Sequence, residues 1–177
     1  MYKINSKKKG FTLIELLVVV AIISLLSSVV MASLNSARAA ARDVHRRTSL
    51  KQVATALELY YNTNNSYPIT TTWFGPLSMH NKIYVQPSGP LGWIPDLAPT
   101  YIAQLPTELK SLGEDTGYYY NSNGTDFKLL NFQTVEKCPV LPSDSMYDPH
   151  RNPSTAPGWG ELIPCTFAIY TPGAAGW

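Results

Sequence analysis

From Phe11 to Tyr67 the chain contains neither glycine nor proline, although it holds 11 glycines and 14 prolines in all. At background usage of about 7% Gly and 5% Pro, a gap of that length arises by chance in roughly one window in a thousand. Glycine in a helix interior costs about 1 kcal/mol relative to alanine and proline about 3 kcal/mol, so a stretch without either can continue as one helix. Every proline lies from Pro68 onward. The front of the chain reads as continuous helix and the back as a body built from turns.

Within that helix, residues 11–34 read FTLIELLVVVAIISLLSSVVMASL, where Glu15 is the single charge and the other polar members are small Ser and Thr. A helix of this length spans roughly 36 Å, enough for a hydrocarbon core of about 30 Å. It exceeds the 7 to 15 residues, roughly, of a removable signal peptide's apolar region. It is therefore read as membrane-spanning. Ahead of it, Met1–Gly10 carries Lys3, Lys7, Lys8 and Lys9 and no acid. Such a cluster keeps its side of a membrane cytoplasmic and places everything after Leu34 outside.

The formal charge is +2, from 14 basic and 12 acidic residues. Four of those basic residues sit in the first ten, so the rest of the chain carries ten against twelve, a formal −2. Charged residues make up 15% of the chain, below the roughly 25% of ordinary soluble domains. That balance excludes a charge-rich disordered chain and argues against a nucleic-acid partner, which calls for clustered Lys and Arg. Two cysteines exclude a four-cysteine metal site and a disulfide-dense scaffold.

Residues 35–64 continue the helix with a different pattern. Leu50, Val53, Leu57, Tyr60 and Tyr61 fall on one helical face. Arg38, Arg42, Arg46, Arg47 and Lys51 form a basic segment opposed locally only by Asp43. The plain reading is a solvated face; contact with neighbouring subunits or lipid headgroups competes with it, and DNA stands further back. Asn62–Pro68 brings turn formers and a proline that ends the helix.

The remainder, 65–177, reads as a β-rich head. Gly117–Phe132 (GYYYNSNGTDFKLLNF) places two β-favouring runs around an Asn-Gly turn and predicts a hairpin. Lys82–Val85 and Thr166–Thr171 are weaker strand candidates. Leu91–Pro106 reads as a proline-bounded loop with room for one helical turn. Lys137–Pro164, with six prolines, reads as loop. The fold class is α+β: a helix of about 50 residues whose second half packs on a small antiparallel sheet.

The junction KKKG followed at once by FTLIELLVV resembles the processing site of the type IV prepilin family, which includes type IV pilins and the pseudopilins of type II secretion. A basic leader, glycine before the cut, phenylalanine after it and a lone Glu as the fifth residue of the product carry the likeness. It extends more loosely through ALELYYNTNNSYP at the helix end, through LAPTYIAQLP, and into the Tyr-rich hairpin. Thr107-Glu108 stands where pseudopilins usually have Asp-Pro. The resemblance implies removal of residues 1–10 by a membrane prepilin peptidase that cuts between Gly10 and Phe11. It also implies N-methylation of Phe11 and assembly with identical or related subunits into a filament. The chain would be the enzyme's substrate and not itself an enzyme. It would sit in the cytoplasmic membrane before assembly and in an extracellular or periplasmic filament afterward.

Elementary electrostatics gives Glu15 a role in that scheme. A carboxylate at the centre of a membrane helix costs roughly 2.5 to 3.5 kcal/mol and so normally has a partner. Near the helix start the positive end of the dipole lowers that cost. A free amine on Phe11 would place a cation one turn away, and the amine of one subunit could pair with Glu15 of another. The plain alternative is a headgroup-level Glu on an ordinary anchor.

Cys138 and Cys165 both lie in the exported part, where disulfides persist. A bridge would close a loop of about 28 residues, for which chain entropy gives roughly 3 to 4 kcal/mol. Asn121, Asn123, Asp126 and the nearby Glu114 and Asp115 could be drawn together as oxygen ligands for calcium, but the spacing does not complete an EF-hand loop, and turn chemistry explains the same residues. No metal and no cofactor is expected. His45, His80 and His150 are scattered. Tyr118–Tyr120, Trp73, Trp93 and Trp159 read as core and loop anchors more readily than as an adhesive surface. Asn64-Asn65-Ser66 and Asn123-Gly124-Thr125 fit the glycosylation pattern. The best reading is a pilus-like filament subunit, with a type II secretion pseudopilin as the alternative. A plain membrane-anchored or secreted binding protein, cut near SLNSARAA, is the alternative from another class.

Overall fold

A computed structural model describes residues 10–70, 72–75, 88–89, 92–110, 116–151 and 165–177. The chain divides into two compact units, Met1–Arg38 and Ala39–Trp177. One helix, α1, runs over Leu13–Asn64, 52 residues without a break, as the absence of glycine and proline requires.

In the first unit α1 buries nothing: every large apolar side chain from Leu13 to Leu34 is exposed in the isolated chain. Two of its inner hydroxyls are satisfied by the helix itself, Ser24 Oγ donating to Val20 O at 2.7 Å and Ser28 Oγ to Leu25 O at 2.8 Å. A polar group closed in this way can enter an apolar medium at little cost. By length and composition the helix is apolar enough to cross a membrane.

The second unit is organised around a three-stranded antiparallel sheet of β1 (Gly117–Ser122), β2 (Phe127–Phe132) and β3 (Phe167–Tyr170), in the order β1-β2-β3. Gly117 pairs with Phe132 and Ser122 with Phe127, while Lys128 pairs with Tyr170 and Asn131 with Phe167. Period-two alternation sends Tyr118, Tyr120, Phe127 and Leu129 to one face. There they share a core with Leu50, Val53 and Leu57 of α1 and with Trp93, Ile94, Leu97 and Leu105. Tyr119, Leu130, Phe132 and Ala168 form a smaller cluster on the other face. All six residues of β2 are buried because both faces and both edges are covered.

The hairpin falls where the sequence predicts it, but its turn is a four-residue loop and not a two-residue one. Asn123 Oδ1 accepts from the N–H groups of Thr125 (2.9 Å) and Asp126 (2.8 Å), and Gly124 takes φ +92°. The outer edge of β1 is closed by the chain leaving the helix. Tyr67 N–H donates to Gly124 O, Thr70 N–H to Ser122 O, and Phe74 and Tyr120 exchange backbone bonds. Gly75 follows because a Cβ there would lie 2.5 Å from Tyr118 O. The helix itself ends in Asn65, at φ 58°, whose N–H reaches Tyr61 O at 2.8 Å. Thr166–Thr171 contains β3 as expected, and the described part of Leu91–Pro106 is turns without an assigned helix. The candidate strand Lys82–Val85 lies outside the described residues, as do His80, Glu114, Asp115 and Trp159.

One reading is overturned. Arg42, Arg46 and Arg47 are not a solvated face; each is paired with an acid of its own chain. Arg46 has no exposed surface and donates to Asp43 Oδ1 (2.7 Å), Glu108 Oε1 (2.7 Å) and Glu136 Oε1 (3.2 Å). Arg42 meets both carboxylate oxygens of Glu136 through Nε and Nη2, at 2.5 and 2.7 Å. Arg47 forks onto both oxygens of Asp144, and its guanidinium lies 3.9 Å from the Phe167 ring centroid. Apart from Asp43, the acids come from 62 to 97 residues away, beyond the reach of a local charge count. Arg38 and Lys51 remain exposed.

Candidate assembly site

The first described residue, Gly10, is exposed, and a Cβ built on it meets nothing within 4 Å. Phe11 is 85% exposed. Just beyond it, Thr12 and Glu15 form a reciprocal cap. Thr12 N–H and Thr12 Oγ1 both donate to Glu15 Oε2, at 2.8 and 2.6 Å, and Glu15 N–H donates to Thr12 Oγ1 at 3.3 Å. This satisfies two of the donors a helix start leaves unpaired and fixes the carboxylate at the positive end of the helix dipole. Both bonds to the carboxylate engage Oε2. Thr12 was not among the candidate residues, although the pattern Thr-x-x-Glu ahead of an apolar run is the readable signature of such a cap.

In the second unit the carboxylates are tuned by the arginines. The hydrogen bond from Arg42 is the main force holding Glu136 down, at about 2, against a smaller upward push from burial. Arg47 similarly lowers Asp144. Burial pushes Glu108 up, but hydrogen bonds from Arg46 and Asn131 outweigh it and leave its carboxyl below the ordinary range. These groups are satisfied by one another, so they form a structural network. Burial, with the hydrogen bond to Glu58, raises Tyr67 to about 12. Glu108 stands at the departure from the pseudopilin Asp-Pro pattern, and here it is the acid that neutralises Arg46.

Cys138 and Cys165 are joined by a disulfide with their Cα atoms 5.1 Å apart. Asn121, Asn123 and Asp126 are occupied by local bonding. Thr70 Oγ1 donates to Asn121 Oδ1, Asn123 caps the hairpin turn, and Asp126 Oδ1 accepts from Thr171 Oγ1 and Gly173 N–H. Among the described residues no group of three His, Cys, Asp or Glu side chains is placed to hold a metal ion. Tyr118, Tyr120 and Trp93 are core, and Trp93 stacks on Tyr118.

A single long N-terminal helix, apolar at its start, together with a small three-stranded antiparallel sheet is the α+β layout of pilins. Residues 5–31 match the prokaryotic N-terminal methylation motif. The chain is 46% identical over 59 residues to the type IV wide pilus major component PilA4 of Thermus thermophilus, a match covering 33% of this chain and 45% of that one. It is 30% identical over 125 residues to the type II secretion system core protein G of Pectobacterium carotovorum, covering 71% of this chain and 68% of that one. No solved structure matches. The chain belongs to the type IV prepilin family, the family of structural subunits that holds both pilins and pseudopilins.

Proposed function

We propose that the chain is a structural subunit of a type IV pilus-like filament. A membrane prepilin peptidase cuts between Gly10 and Phe11 and methylates the new amine, and the apolar part of α1 then bundles with that of identical or related subunits. The observation that carries this reading is Glu15. It is the one charge in an otherwise apolar, wholly exposed helix segment, fixed by Thr12 one turn from the amine that cleavage would create. Lipid is as apolar as leucine, so packing and the pairing of that amine with a neighbour's Glu15 supply the specificity. Before assembly the subunit sits in the cytoplasmic membrane with its leader inside.

A second reading, a pseudopilin of type II secretion, is supported by the greater length of the match to core protein G. The disulfide-bracketed tail supports the pilus. Electron microscopy of sheared filaments from cells producing Glu15→Ala and wild-type chains tests the shared claim. The variant should insert in the membrane and yield few filaments, and abundant normal filaments would contradict it. Deleting the gene then separates the two readings: loss of surface filaments marks a pilus, and loss of exoprotein secretion marks a pseudopilus.

A further inference from the structure

Both cysteines are held in place by contacts that do not involve sulfur. Asp43, only 5% exposed, accepts from two successive backbone amides, Glu136 N–H to Oδ1 at 3.0 Å and Lys137 N–H to Oδ2 at 2.8 Å. The next residue is Cys138. The Asp43 carboxylate is itself fixed by Arg46, whose guanidinium also takes Glu136. On the other side, Val135 N–H donates to the carbonyl of Cys165 at 3.1 Å, and Gln133 N–H to Thr166 Oγ1 at 3.2 Å. Arg47 covers Phe167, two residues beyond Cys165, and holds Asp144 inside the bracketed segment.

We propose that Asp43 is a positioning residue for the Cys138–Cys165 bridge: the helix builds the stem of the loop first, and the disulfide is a latch closed onto it. In the reduced chain the stem persists and keeps the two thiols at high effective concentration. Oxidation then proceeds by attack of one thiolate on an external disulfide, giving a mixed disulfide and one released thiol. The second thiolate displaces the other external half, so two electrons pass to the reagent and the two protons lost by the cysteines end, by way of solvent, on the two released thiols. A helix carboxylate with two amides in its grip supplies the order that the loop's own composition does not.

The test uses the full chain in detergent micelles. Amide hydrogen exchange at Glu136 and Lys137 is measured before and after reduction with dithiothreitol, and the thiol pair is equilibrated with oxidised and reduced glutathione. Protection of both amides should survive reduction, while Asp43→Asn should lower the equilibrium constant for bridge formation by about ten-fold or more. The oxidised variant serves as the check that the head still folds. If reduction alone strips protection from both amides to the level of exposed loop residues, the bridge builds the stem and the proposal is wrong. An unchanged glutathione equilibrium in a folded Asp43→Asn protein would equally overturn it.

Discussion

Residues 13–34 and residues 43–57 belong to one unbroken helix, yet the first stretch exposes all of its large apolar side chains, whereas the second buries Leu50, Val53 and Leu57 completely. The polar groups divide the same way. Among the described residues, Glu15 has a partner only in its own helix turn, while Arg42, Arg46 and Arg47 reach acids far along the sequence. A helix presents the same backbone in both places, so what differs is where its partners are. The second stretch finds them within the chain. The first, an apolar surface with a single charge, is complete only in a membrane or against other subunits.

The largest effect is expected where the partner is external. Glu15→Ala should reduce filament yield at least about ten-fold by electron microscopy while the melting of the head is unchanged, since among the described residues the Glu15 bonds are all to Thr12. A head that melts lower in this variant would blur the division between the two stretches. Next comes Arg46→Met, which leaves Asp43, Glu108 and Glu136 facing one another without their shared cation. Removing one partner of a buried ion network costs about 3 to 5 kcal/mol, to be read from urea denaturation. The same variant should still insert in the membrane, and loss of insertion would count against the separation.

Acid should weaken the second stretch through its paired carboxylates. Because the Glu136 carboxyl falls from an ordinary 4.5 to about 2 in the folded chain, its pairing with Arg42 stabilises the head fully above about pH 4.5 and is lost as pH falls toward 2. The lowered Asp144 contributes with the same sign. Urea midpoints should thus be level from pH 7 to 5 and decline below, with a shallower decline in Glu136→Gln. An equally steep decline in that variant would assign the acid sensitivity elsewhere. The smallest effect belongs to Lys51→Ala, an exposed cation outside the network, which should shift stability by no more than about 0.5 kcal/mol.

The legible parts of the molecule are those written locally. The absence of glycine and proline marks α1, the alternation around Asn123-Gly124 marks the hairpin, and the leader junction marks the family. Leu50, Val53 and Leu57 could be placed on a buried face from spacing alone. The arginines could not, because a local count finds only Asp43 near them, and their acids are delivered by the fold of the head from Glu108, Glu136 and Asp144. Charge in sequence therefore misled where charge in space neutralises. Thr12 is a different case: its capping pattern was present within four residues of Glu15 and only needed to be read as a pair.

The central claim, that the apolar stretch is made to be trimmed and then joined to other subunits, is tested most directly by the mass of the chain recovered from cells or from sheared filaments. Top-down mass spectrometry reads the first residue and any added group together. The expected product begins at Phe11, carries one methyl on its amine and retains the Cys138–Cys165 bridge. A mature chain beginning near Arg38, or one still carrying Met1–Gly10 in cells that contain an active prepilin peptidase, would contradict it.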